Sequence, residues 1–120
     1  MTGTADPSAT PWDAGRQLVA TLATHGRTAW IETHSEGAYV VLPGHDGQFV
    51  TVSGSTADDE NLLAYPTNDH HGWTAVLRDA DGTQTRVLSQ EQDARSRDFA
   101  EDTARLAADI LPHTLEAQAA

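Results

Sequence analysis

Three β-forming runs lie between residues 27 and 53, joined by links that leave the chain room only to turn back on itself. The runs are residues 27–33 (RTAWIET), 38–42 (AYVVL) and 48–53 (QFVTVS); the links are HSEG (34–37) and PGHDG (43–47). Parallel neighbours need a crossover of about a dozen residues or more, so such links dictate antiparallel pairing and a meander. The middle run is apolar at every position. Val40 and Leu42 point to one face and Tyr39 and Val41 to the other, which predicts a central strand with both faces covered.

The rest of the chain fits around this meander. Residues 72–78 (GWTAVLR) and 83–88 (TQTRVL) read as two more strands, joined by DADG (79–82) with glycine where a hairpin wants positive φ. The last of these is polar enough for a sheet edge. A helix is predicted over 11–25, with Thr10 as N-cap, Pro11 in the first helical position, Asp13 three residues after the cap and Gly26 as the stop. Trp12, Gly15, Val19 and Leu22 share its inner face, with Leu18 beside them. A second helix follows a capping box of Ser89 and Gln92. Its stripe is Phe99, Thr103, Leu106 and Ile110, flanked by Ala100, Ala104 and Ala107, and Pro112 ends it. Residues 54–69 admit two readings. One is a short helix capped by Ser55 or Thr56, with Asp58, Asp59 and Glu60 in its first turn; the other is an irregular loop pinned by Leu62, Leu63 and Tyr65. The helical reading is favoured here.

The order is α-β-β-β-(α)-β-β-α. It predicts an α+β fold: a single antiparallel sheet of about five strands, meander plus hairpin, with the N- and C-terminal helices packed on one face. Residues 1–9 are expected to be a disordered lead, 10–112 a single domain and 113–120 a tail. The order of elements is similar to that of the small acidic chaperones of bacterial type III secretion, a resemblance of topology that no motif in this chain carries.

Composition bears mainly on partners. Eighteen acidic residues face seven arginines with no lysine, for a net charge of −11. Such a surface repels a phosphate backbone, so direct nucleic-acid binding is disfavoured, whereas basic partners are attracted. Seven arginines, no lysine and nineteen alanines are the composition a high-GC bacterial genome produces. With no cysteine, disulfides, thiolate metal sites and a cysteine nucleophile are excluded. No apolar run approaches the length of a membrane span, and the N-terminus lacks the basic and apolar regions of a signal peptide, so no membrane association and a cytoplasmic location are expected.

Candidate chemistry centres on histidine, of which there are six. His45 and Asp46 lie in the second turn; Asp69, His70 and His71 precede the fourth strand in the stretch NDHHGW. These five are the candidate metal ligands. Their spacing matches no fixed ligand pattern, His70 and His71 would point to opposite faces of an extended chain, and the reading of NDHHGW as a loop leading into a strand is preferred. His25, His34 and His113 are assigned to a helix end, a turn and the tail. No GxSxG, P-loop or GxGxxG is present, the run Asp58-Asp59-Glu60 lacks the alternation of a calcium loop, and no catalytic residues and no cofactor are expected.

These features point to a non-enzymatic, adaptor- or chaperone-like domain that binds a protein partner or a second copy of itself through the open sheet face. The expected binding residues are Trp30, Tyr39, Val41 and Trp73. A His/Asp metal or enzyme site and an acidic mimic of nucleic acid that regulates a DNA-binding protein are the alternatives.

Overall fold

A computed structural model describes residues 13–35, 37–59, 61–90 and 98–115. The elements are α1 (Ala14–Thr24), β1 (Trp30–His34), β2 (Gly37–Pro43), β3 (Phe49–Ser55), β4 (Gly72–Arg78), β5 (Gln84–Ser89) and α2 (Phe99–Ile110). All five strands form one antiparallel sheet in sequence order, the meander and hairpin that the short links require. The helices pack side by side on one face, α1 over β2 and β3, α2 over β4 and β5. Among the described residues no helix is long and apolar enough to cross a membrane.

Register decides which side chains meet the helices. Val40 stands opposite Val52 and Leu42 opposite Val50; these in turn stand opposite Ala75 and Leu77. This set, with Trp73, points toward the helices and closes on Leu18 and Leu22 of α1 and Leu106 and Ile110 of α2. Tyr39, Val41, Phe49, Thr51, Val76 and Arg78 occupy the alternate positions and form the open face.

Three local expectations are corrected. The first helix begins at Ala14, and its N-cap is Asp13, whose side chain accepts from Arg16 N at 2.9 Å. Asp13 thus takes the capping role expected of Thr10; Thr10, Pro11 and Trp12 lie outside the described residues. The second helix is capped by Asp98. Ser89 ends β5 instead of opening a helix, and Gln92 lies outside the described residues. Finally, 56–71 contains no α-helix among its described residues; its one helical turn is a 3-10 turn at Thr67–Asp69.

That last segment is held by the backbone bonds that compete with helix formation. Leu62 exchanges a pair of backbone hydrogen bonds with Gly54 of β3. The Leu63 and Tyr65 carbonyls accept from Gly15 N and Ala14 N, so the loop satisfies the unpaired N–H groups of the first turn of α1. Ala38 N donates to Asn61 O and His71 N to Ser55 O. A buried loop is tolerable only when its polar backbone is paired in this way.

At its other end the chain continues past Pro112 through a 3-10 turn (Leu111–His113). Thr114 then bridges Gly44, and Leu115 N donates to Pro43 O at 3.0 Å. Arg27 clamps this return, donating through Nε to Thr114 Oγ1 at 2.9 Å.

The closest approach in the core is at Gly54, where a methyl group would strike the Tyr65 hydroxyl and crowd the Trp73 ring. Gly54→Ala is therefore expected to lower the free energy of unfolding by about 3 kcal/mol, the upper range for overpacking. Urea denaturation checks this; a change within about 0.5 kcal/mol, the size of an ordinary surface substitution, would mean that Tyr65 does not rest against β3.

Candidate functional site

The connection 56–71 delivers two polar side chains into the core. Tyr65 and His70 are 5% and 3% exposed, and Asp102 reaches them from the inner face of α2 at 3%. The Tyr65 hydroxyl lies 2.6 Å from His70 Nδ1, and His70 Nε2 lies 2.6 Å from Asp102 Oδ2. A carboxylate only accepts, so Nε2–H donates to Asp102 and Nδ1 is left to accept from Tyr65. Arg105 completes the chain, donating through Nη2 and Nε to Asp102 Oδ1 at 2.8 and 3.2 Å and through Nη1 to Ser89 Oγ and Asp109 Oδ2. Aromatic rings enclose the imidazole: Tyr65 is stacked with it, Phe99 meets it edge-on and Trp73 is tilted against it. Trp73 Nε1 donates to Thr103 Oγ1 at 3.0 Å.

The electrostatics follow from burial and pairing. Burial alone would raise the Asp102 carboxyl, but the hydrogen bonds from His70 and Arg105 and the positive charge of Arg105 outweigh it and hold Asp102 below the ordinary carboxylate value. Burial, aided by the charge of Asp102, pushes the Tyr65 phenol well above its ordinary value, so it stays a donor. The order Tyr–His–Asp has the connectivity of a nucleophile, a base and an orienting acid. Here all three are buried and each polar atom is engaged within the fold, so the arrangement joins the loop to α2 and offers no surface to a substrate.

The open face is built differently. Val41, Thr51 and Val76 form a floor that is at most 9% exposed although among the described residues no helix lies over it. A groove of about 290 Å³ crosses the face, lined by Glu32, His34, Tyr39, Val41, Phe49, Thr51, Arg78 and Gly82. At one end Arg78 is held by Thr51 Oγ1 at 3.1 Å and the Gly82 carbonyl at 3.0 Å. At the other, Glu32 accepts from Trp30 Nε1 at 2.8 Å and contacts His34 Nε2 at 3.3 Å. The Trp30 hydrogen bond, with His34 in support, keeps the Glu32 carboxyl below its ordinary value. A second cleft, of about 410 Å³, lies beside α1 and is lined by Arg16, Val19, Ala20, Ala23, Trp30 and Ile31.

Of the expected binding residues, Tyr39 and Val41 line the groove, and Trp30 stands at the β1 edge, 44% exposed, where it also lines the second cleft. Trp73 does not join them: it is wholly buried on the helix-covered face, because Gly54 opposite it leaves room for the indole. Among the five expected metal ligands, His45 and Asp46 lie exposed in the β2–β3 turn, Asp69 is exposed in the 3-10 turn, and His70 is buried in the network above. His71 is half-buried next to β4. Among the described residues no group of three or more His, Asp or Glu side chains is arranged to hold a metal ion.

Sequence reasoning did not single out Asp102, Arg105, Glu32 or Arg78. Asp102 had a readable signal, since it stands four residues before Leu106 and eight before Ile110, on the apolar stripe of α2. Arg78 and Glu32 had none, because their lining of one groove depends on register.

No protein-family model matches the chain, and neither the curated proteins nor the solved structures include one with significant similarity to it.

Removing the Asp102 charge leaves His70 and Arg105 with one neutral acceptor oxygen between them. Asp102→Asn is expected to cost about 3 kcal/mol at neutral pH, as breaking a buried pair does. Because the folded value is depressed, the carboxylate contributes in full above the ordinary carboxylate range, and its contribution is lost as pH falls through the depressed value. The substitution should therefore flatten the acid limb of a stability-against-pH curve measured in urea; an acid limb identical to that of the parent chain would show that Asp102 is not coupled to the network.

Proposed function

We propose that this chain is a protein-binding domain that receives its partner on the open face of the sheet. The observation that carries the reading is the groove from Glu32 to Arg78. It is a concave surface with a floor of Val41 and Thr51, aromatic walls of Tyr39 and Phe49, and charge of opposite sign at its two ends. Aromatic and arginine side chains around a shielded floor are what a binding centre uses. The buried network serves this face indirectly, since it anchors the connection on which the sheet and both helices lean. The long-range field of an acidic chain favours a partner that is basic overall.

Photo-crosslinking residues test the reading by position. Placed at Tyr39 or Val87 on the open face, they are expected to give a discrete adduct in cells that express the chain. Placed at Ala104 or Ala108 on the solvent side of α2, they should give none. Equal adducts from both sides, or none from the open face, would remove the support for this surface.

The cleft beside α1 favours a second reading, a homodimer. β1 is an edge strand, and Trp30 and Ile31 on it are 44% and 42% exposed next to an apolar wall of α1. Light scattering at several concentrations is expected to give the mass of two chains, reduced to one by Trp30→Glu. A single-chain mass throughout would dismiss the dimer and leave the groove reading in place.

A further inference from the structure

We infer, on the strength of the open-face reading, that the groove takes an extended peptide segment with a basic residue and an acidic residue four positions apart and an apolar residue midway between them. The charges at the two ends of the groove carry this inference.

The Arg78 guanidinium spends Nε on Thr51 and one Nη1 proton on Gly82. Three of its five N–H donors are left over, the side chain lines the groove, and among the described residues no carboxylate pairs with it. A guanidinium fixed by neutral acceptors with donors to spare is a seat for a carboxylate. Glu32, held by Trp30 and His34, is the matching seat for a cation.

The distance between the seats follows from register. Arg78 rests on Thr51; Thr51 stands opposite Val41, and Val41 opposite Trp30, two residues from Glu32. Two strand spacings across and two residues along amount to roughly 12 Å. In an extended peptide, side chains two apart on one face are separated by roughly 7 Å and those four apart by roughly 14 Å, so the charged pair fits the latter spacing. The residue midway then falls over β2 between Val41 and Tyr39, where an aliphatic side chain is wanted.

A second copy of the chain fits this groove less well. Two concave faces brought together leave their floors unfilled, and two chains of net charge −11 repel.

Fluorescein-labelled, end-blocked peptides test the inference on the full chain by polarisation. The probes are Lys-Ser-Leu-Ser-Glu and its reversed order Glu-Ser-Leu-Ser-Lys, because a peptide can lie in the groove in either direction. The controls are Lys-Ser-Leu-Ser-Lys, Glu-Ser-Leu-Ser-Glu and Lys-Ser-Ser-Ser-Glu. At least one mixed-charge leucine peptide is expected to bind about ten-fold more tightly than every control, equivalent to about 1.4 kcal/mol. Arg78→Met should abolish that preference. Arg78→Glu should transfer it to Lys-Ser-Leu-Ser-Lys, a gain that a misfolded variant cannot produce. Affinity that rises with peptide positive charge alone on the parent chain, or no binding of either mixed peptide, overturns the inference. If crosslinks at Tyr39 persist in that case, only the assigned motif fails; if they are absent as well, the open-face reading falls with it.

Discussion

The hydrogen-bond chain from Tyr65 through His70 to Asp102 ties together elements that hydrophobic packing alone would leave free to shift. Each member sits in the core, where an unpaired polar atom costs far more than a made bond returns, so the chain tolerates only the arrangement in which every partner is present. Tyr65 and His70 belong to the connection between β3 and β4, Asp102 belongs to α2, and the carbonyls of Leu63 and Tyr65 cap α1. One loop thereby fixes the position of both helices relative to the sheet. Gly54 is part of the same device, because the missing side chain on β3 is what admits the Tyr65 hydroxyl and the Trp73 ring.

This division leaves the two faces of the sheet with different work. The helix-covered face holds the core and carries the buried polar network. Among the described residues the open face has no helix over it, and its floor of Val41, Thr51 and Val76 is shielded. In the proposed reading, what the open face offers a partner is the rim: aromatic walls and two fixed charges of opposite sign. A rigid sheet with side chains already held by Thr51, Gly82, Trp30 and His34 loses little order on binding, which favours recognition of a flexible segment.

Much of the architecture was legible in the chain. Short links around residues 38–42 required a meander, DADG gave the last hairpin, and the spacing of Leu106 and Ile110 gave the C-terminal helix. Helix starts were read less well, because Thr10, Asp13 and Ser89 all have capping side chains and only the folded geometry shows that Asp13 is used and that Ser89 ends a strand. Within residues 54–69 a short α-helix was expected because local signals, an acidic run after Ser55 and Thr56, compete there with long-range backbone bonds to Gly54, Ala14, Gly15 and Ala38.

The candidate site divides along the same line. Period-two alternation placed Tyr39 and Val41 on one face from sequence alone, since side chains in a strand must alternate. Alternation also exists for Trp73, but which face the helices would cover was not written in its neighbours. His70 attracted notice for its residue type, while its partners Tyr65 and Asp102 lie five and thirty-two positions away, and their meeting is a product of the folded chain. The sequence by itself determined the elements, their antiparallel order and the acidity of the surface, because these rest on near-neighbour spacing and on composition. Only the tertiary structure decided that His70 is a buried link and that Glu32 and Arg78 bracket one groove, because register and loop path bring together residues whose types and spacing carry no mutual signal.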